Sequence, residues 1–468
     1  MLTKTNFKKY LESPIHLWLF MYRKDLLPQE LLVVEGKQID EGKEIDELSK
    51  GLFPDGFEIG GFGIKGFEAT KQAIESGKTT LIQPTVMTEE LSSRADMLIF
   101  NAESKKWDLY EVKSTTSVKR GEGAKRYENH IIDVAFQRIC WEKAGIEIDK
   151  SYIVYVNKEF IRAGEVRAEF CDGDPSEGFF IKEDVTNDAR EMMKEIWADI
   201  AGALNALKIS GDTDPAVVFK KLCPNGALDF LRKLAPEAVT TLGTTVPEVR
   251  GEQICNVDAI KKELQELVYP LYFFDYETYA PAIPFFDGFH PYQNMPFQYS
   301  VHIQEHRGGP TTHKYFLARE KENPFPALLK QMQSDLGETG SVIVWYETFE
   351  KGRNKEMAAM YPEYAPFLRT VNKKRIYDLM TIFKKRLYKR KEFGKSNSLK
   401  VVAPVMVPEL SYSELEIQEG MEASNGWLTL VNHTLPKEEE KALYENMLKY
   451  CERDTEVMVK ILGILEKI

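Results

Sequence analysis

Cysteine is scarce and scattered in this chain of 468 residues, which limits what it can do with sulfur. The five cysteines (Cys140, Cys171, Cys223, Cys255 and Cys451) are odd in number and form no C-x-x-C pair. Neither a disulfide framework nor a zinc finger is therefore expected. Long apolar runs are missing too. No window of about 18 apolar residues could span a bilayer, and the opening MLTKTNFKKYLESP lacks the apolar core of a signal peptide. A cytoplasmic protein with no membrane partner is the expectation. Nor is there an excess of positive charge: 62 Lys and Arg against 73 Asp and Glu leave a net charge of −11. That excludes binding a polyanion through bulk charge, but not an enzyme that gathers carboxylates around divalent cations and meets its substrate through a local basic patch.

What is present suffices for a folded, multi-domain protein. Apolar residues make up 43% and charged residues 29%, and the length exceeds what one hydrophobic core serves, so two large or three smaller domains are expected. Residues 1–185 read as mixed α/β, with amphipathic helices over 7–22 and 42–52. Strands are expected near 80–83, 96–100, 107–112 and 152–156, and a helix over 127–144. Residues 186–265 read as a helical connector broken by SGDTDP and a Thr-rich run. From 266 to 468 a second α/β unit is expected, with strands in LYFFDYET, QYSVHI and SVIVWY and a helix from Lys437 to Glu466. There is no internal repeat and no low-complexity segment.

Two acids, Asp275 and Glu277, stand two apart inside the apolar strand LYFFDYETY, which puts both on one face. Burying them there without a cation is costly. In KYCERDTEV, Tyr450 and Asp454 are spaced i, i+4 on a helix and point the same way. Between these motifs, SVIVWYETFE leads from a strand to Glu350. About four carboxylates of this kind hold the paired divalent ions of two-metal phosphodiester hydrolysis. The order D-x-E, an acid after a strand, then Y-x-x-x-D on a late helix resembles the DnaQ-like exonucleases of the ribonuclease H-like fold. The resemblance implies a 3′→5′ exonuclease using Mg²⁺ or Mn²⁺. Asp275, Glu277, Glu350 and Asp454 would be its metal ligands, and Tyr450 would position water. The second motif of that family usually ends in aspartate after an Asn-containing turn. Glu350 departs from this, and Asp378 in RIYDLM is the reserve ligand.

Ten Lys or Arg residues lie between Val371 and Lys395, interleaved with Tyr377, Phe383, Tyr388 and Phe393. Beside an acidic centre, Lys373, Lys374, Arg375, Lys384, Lys385, Arg386, Lys389 and Arg390 are the candidates for contacting nucleic acid, DNA or RNA. A solvated helical face is the competing reading. After the D-x-E strand, PFFDGFHPYQNMPFQYS offers His290, Tyr292 and Gln298 as contacts to a terminal nucleotide, or else a packed loop.

The N-terminal half holds a second constellation. Asp96 opens an apolar strand, and fifteen residues on LYEVKS ends another with Glu111 and Lys113 on one face. Two acids can bind a cation while the ammonium steadies phosphate charge. This resembles the PD-(D/E)XK nuclease core. Gln137 and Trp141 in AFQRICW resemble the Q-x-x-x-Y helix of its RecB-like branch, and GKEIDE resembles the early helix, with Asp46 or else Glu47 as the completing acid. The start YLESPIHLWL resembles the entry motif of those proteins. Ser13 stands where they often carry cysteine, so no iron–sulfur cluster is expected. The two resemblances together imply an α/β protein of two nuclease domains. A nucleic-acid-binding scaffold with one or both sites inactive is the alternative.

Overall fold

A computed structural model describes residues 1–32, 36–118, 125–246 and 253–468, giving only the backbone for 36–40 and 127. The chain is mixed α/β and divides into two compact units. One comprises Met1–Pro247 with Ala282–Tyr292, the other Glu248–Pro281 with Gln293–Ile468. Among the described residues, no helix is long and apolar enough to cross a membrane.

In the N-terminal unit a six-stranded sheet runs in the order β2 (Phe57–Glu58), β3 (Thr80–Ile82), β6 (Met97–Asn101), β7 (Lys106–Lys113), β8 (Ile148–Val156), β9 (Phe180–Asp184). A smaller sheet joins β1 (Leu2–Thr3), β5 (Leu91–Arg94) and β4 (Thr85–Met87). β7 and β8 are parallel, so the chain between them must cross over, and the helix His130–Lys143 does so. That helix is buried along nearly its whole length.

The stretch 186–265 is helical as expected, and most of it packs within the N-terminal unit. Ala189, Ile196, Ile200, Ala203 and Ala206 of the helix Thr186–Leu207 share a core with Phe136, Ile139 and Trp141. Val218, Phe219 and Cys223 of the next helix pack with Ile15, Trp18 and Leu19. Spacing along the sequence reads this stretch as helical but does not say what covers its apolar stripe. Residues 247–252 of the expected connector lie outside the described residues. The segment 282–292 likewise packs in the N-terminal unit, although strands of the other unit flank it. Arg162 donates to the carbonyls of Pro284 and Phe285 at 2.6 and 2.8 Å, and Ala282 and Tyr292 join the cluster of Phe179 and Phe180.

The C-terminal unit is built on a five-stranded sheet in the order β13 (Thr311–Leu317), β12 (Met295–Gln304), β11 (Leu271–Tyr279), β14 (Ser341–Val344), β15 (Ile376–Asp378). β12 is antiparallel to both neighbours, while β11, β14 and β15 run parallel. A short pair, β10 (Ile254–Cys255) with β16 (Tyr388–Lys389), lies apart from it. β11 is central, which explains its nearly unbroken apolar sequence. The helix Lys437–Leu465 lies on this sheet, fastened by a polar ladder from alternate residues of β12. Gln298 donates to the carbonyl of Met447 at 3.0 Å, and Ser300 and His302 each meet Thr455 Oγ1 at 2.8 Å.

Within the basic stretch, Arg375 is buried, and its guanidinium donates to the carbonyls of Leu336, Gly337, Thr339 and Gly340 at 2.5 to 3.0 Å. It closes the turn before β14 and is unavailable to a ligand. Arg375→Ala should therefore lower stability by about 3 kcal/mol in urea unfolding, because several buried carbonyls lose their donor. The same change at Lys373 or Lys374, both exposed, should stay within about 0.5 kcal/mol.

Candidate metal centres

In the C-terminal unit, strand alternation turns Asp275 and Glu277 toward the helix Lys437–Leu465, which brings Tyr450, Cys451 and Asp454 to them. A carboxylate oxygen from each of Asp275 and Glu277 and the sulfur of Cys451 lie within 4.8 Å of one another, the one such trio of donors among the described residues. Glu350 arrives from the first turn of the helix Glu347–Met360, where it is 3% exposed and its Oε2 has no hydrogen-bond partner. The Tyr412 hydroxyl donates to Asp454 Oδ1. Lys400 is held by Glu419 at 2.7 Å, with its ammonium 5.2 Å from the centre of the Tyr450 ring.

The electrostatics of this centre are unbalanced. Burial, then the charges of Asp454, Glu277 and Glu350, push Asp275 well above the carboxylate range. Burial and Asp454 do the same to Glu277 against the opposing pull of Lys400. Asp454 is pushed up to about 6 by burial, although the Tyr412 hydroxyl and Lys400 favour its charged form. Glu350 rises to about 8, chiefly through burial and then through Asp378. Buried acids that repel one another, with one oxygen unpartnered, form a donor set suited to divalent cations. Asp378 is differently placed. It accepts from the Met380 amide at 3.1 Å and from Lys384 at 3.3 Å, so its oxygens are already engaged. Asp275, Glu350 and Asp454 line a cleft of about 500 Å³ whose other walls include Trp345, Tyr346, Phe349, Met380, Leu399 and Lys400.

In the N-terminal unit, Asp96 accepts from the Val112 amide at 2.6 Å. Gln137, from the crossover helix, donates to Glu111 Oε2, and Lys113 pairs with Glu111 at 2.6 Å. Asp46 belongs to the same cluster, since burial and then Glu111 raise it to about 6. Asp96 is raised well above its usual range by burial, Glu111 and Asp46. Glu111 is the opposite case: burial opposes its charge, yet Lys113 and Lys4 outweigh it and hold the group down at about 2. Glu47 is mostly exposed and pairs with Lys50 at 2.7 Å, away from this set. At the chain start, Ser13 Oγ lies 3.7 Å from Cys223 Sγ.

Several members of these centres were not anticipated. Lys4 pairs with Glu111, and Asp133 takes Lys113 at 2.7 Å and Lys8 at 3.0 Å. The i, i+4 spacing of Asp133 with Gln137, and of Lys4 with Lys8, was the available signal. In the other unit the i, i+3 spacing of Cys451 with Asp454 was such a signal, whereas Tyr412 and Lys400 carry none, because only the fold brings them in.

The expected nucleic-acid contacts divide. Lys373, Lys374, Lys384, Lys385, Arg386 and Arg390 are exposed, although Lys384 serves Asp378 and Lys385 pairs with Glu263 at 2.8 Å. Lys389 is half-buried, its ammonium 5.8 Å from the centre of the Phe393 ring. Two expectations are corrected, and the loop of His290 and Tyr292 takes the packed form that was its alternative reading. Gln298 is fully buried as a fastener of the helix, and Arg375 is a turn clamp. His290 and Tyr292 belong to the packed 282–292 segment, His290 meeting the Pro291 carbonyl at 3.0 Å.

A family model described as a domain of unknown function, DUF2779, matches residues 272–398. The match carries Asp275, Glu277, Glu350 and Asp378 and stops before Tyr412, Tyr450 and Asp454. No curated protein matches the chain.

The raised carboxyls of the C-terminal unit imply a pH dependence of stability. Each keeps a proton in the folded state that the unfolded chain has already released, so folding without metal binds protons. Stability of the metal-free protein should fall as pH rises from the ordinary carboxylate range to about 8. Melting temperatures measured across that window should decline, Mn²⁺ should reverse the decline most at its upper end, and Glu350→Gln should flatten it. A metal-free profile that rises through the window would contradict the arrangement.

Proposed function

We propose that the C-terminal unit is a metal-dependent 3′→5′ exonuclease acting on nucleic acid, and that the N-terminal unit carries a second metal-dependent nuclease site. The observation that carries the reading is the convergence of Asp275, Glu277, Glu350 and Asp454 from three separate elements onto one buried, like-charged spot. Cysteine chemistry, a cofactor cradle or a simple ion-pair core would not call for that arrangement.

In this reading Asp275, Glu277, Glu350 and Asp454 hold Mg²⁺ or Mn²⁺, which when bound would supply an activated water and a stabilised leaving oxygen. Tyr450 orients the attacking water, and Tyr412 fixes the carboxylate of Asp454 through its hydrogen bond. Lys400 faces developing phosphate charge. The aromatic walls formed by Trp345, Tyr346 and Phe349 receive the terminal base. Asp378 holds the helix start rather than a cation. In the N-terminal site Asp46, Asp96 and Glu111 are the cation ligands, Gln137 orients Glu111, and Lys113 steadies the phosphate.

A second reading, a nucleic-acid-binding platform in place of an active N-terminal nuclease, is favoured by one observation. Lys4 and Lys113 already neutralise Glu111, so a cation would have to compete with two ammonium groups.

Asp275→Ala should reduce degradation of a 3′-labelled oligonucleotide by roughly a hundredfold or more. If Asp275→Ala combined with Asp454→Ala leaves end-directed activity intact, the assignment is wrong. Glu350→Gln should weaken Mn²⁺ dependence more than Asp378→Asn. In the Asp275→Ala background, any remaining cleavage should vanish on adding Lys113→Ala. Its persistence would move the N-terminal site elsewhere, and its absence from the outset would favour the platform.

A further inference from the structure

Among the described residues, Phe62 is the most exposed large apolar side chain, at 80%. Its surroundings make that exposure a built feature. It sits in Gly60-Gly61-Phe62-Gly63, immediately before the helix Ile64–Glu75. Gly61 and Gly63 have φ of +86° and +58°, backbone that side chains rarely adopt. The turn that holds Phe62 away from the core therefore depends on glycine on both sides. The guanidinium of Arg94 covers one face of the ring, 4.5 Å from its centre. Nearby, Phe57 is 44% exposed under the ammonium of Lys78 at 5.1 Å, and Ile64 is 64% exposed.

Arg94 is itself pinned. Its Nε donates to the Gln83 carbonyl at 3.1 Å and an NH2 nitrogen donates to Gln83 Oε1 at 2.7 Å. Gln83 holds a left-handed φ of 55° and donates its amide to the carbonyl of Asp96 at 2.7 Å. Strain of this kind in a residue with a side chain persists where surrounding structure imposes it, commonly beside functional groups. Phe62, Arg94 and Gln83 thus form one continuous line of contacts, from an exposed aromatic ring to the backbone carbonyl of Asp96, whose carboxylate accepts from the Val112 amide in the N-terminal centre.

We propose that Phe62, backed by Arg94, is a stacking shelf for an unpaired base of a single-stranded nucleic acid whose backbone runs to the Asp96–Glu111–Lys113 centre. The inference rests on reading that centre as a nuclease and adds the substrate class, a single strand. An aromatic face stacks on any base, and cations beside it meet the phosphates. A base inside a duplex is stacked on both sides and offers no free face.

The test uses the full chain carrying Asp275→Ala, with a single-stranded, iodouracil-substituted oligonucleotide crosslinked by light and the adducts located by mass spectrometry. Ca²⁺ replaces Mn²⁺ to prevent cleavage. An adduct is expected on the peptide containing Phe62. Unlabelled single strand should compete for it and covalently closed circular duplex, which has no terminal base face, should not. Phe62→Ala removes an exposed side chain and opens no cavity. It should raise the KM of the residual, Lys113-dependent cleavage by roughly tenfold, with kcat unchanged, and Phe62→Trp should restore it. No adduct on that peptide, or equal competition by duplex, overturns the shelf. Residual cleavage whose KM ignores Phe62→Ala overturns it while leaving the nuclease reading standing. An adduct in a protein that cuts nothing under any metal supports the shelf and removes the nuclease reading.

Discussion

Carboxylates buried beside carboxylates are the constraint on which the C-terminal unit turns. Asp275 and Glu277 occupy the central strand of the sheet, where no ion pair within the strand relieves them, and Asp275 alone keeps partial exposure, at the cleft. Such a pair is tolerable only if something else answers the charge. The unit meets this by seating the helix Lys437–Leu465 with unusual care. Gln298, Ser300 and His302, alternate residues of β12, grip its backbone and Thr455, which sets the helix rotation that aims Tyr450 and Asp454 at the acid pair. Tyr412 and Lys400 then favour the charged form of Asp454. The remaining imbalance is what a divalent cation would relieve.

The N-terminal unit solves a related problem differently. Its acids are interleaved with Lys4, Lys8 and Lys113, and Glu111 is charged throughout the physiological range because two ammoniums outweigh its burial. Asp46 and Asp96 remain raised, by burial first and then by the charge of Glu111, although Lys4 pulls both down. A cation in the C-terminal unit would fill a deficit of positive charge, whereas one in the N-terminal unit must displace Lys4 or share Glu111 with it. The two centres should accordingly differ in metal affinity.

Charge counts along the chain are a poor guide to charge in use. Of the basic residues clustered between Val371 and Lys395, Arg375 spends its donors on four carbonyls, and Lys384 and Lys385 are tied to acids. Conversely, the most exposed large aromatic ring among the described residues, Phe62, lies in a Gly-rich turn far from that cluster in the sequence. Guanidinium and ammonium groups serve turns and ion pairs as readily as ligands, and only their neighbours distinguish the uses.

The sequence by itself determined the periodic features. The strands containing Asp275 with Glu277 and Glu111 with Lys113, and the helices bearing Gln137 and Asp454, all lie where alternation and i, i+4 spacing put them. Those periods follow from backbone geometry within a few residues. It also determined that the acid pair lies in apolar surroundings, because the neighbours are adjacent in the chain. Only the tertiary structure decided which distant groups answer those acids. Lys4 and Asp133, Tyr412 and Lys400 reach their centres through packing that no local period encodes. The helix Thr186–Leu207 and the segment 282–292 likewise join the N-terminal unit because their apolar faces find cover there. Local spacing says which way a side chain points, and long-range burial alone says what it meets.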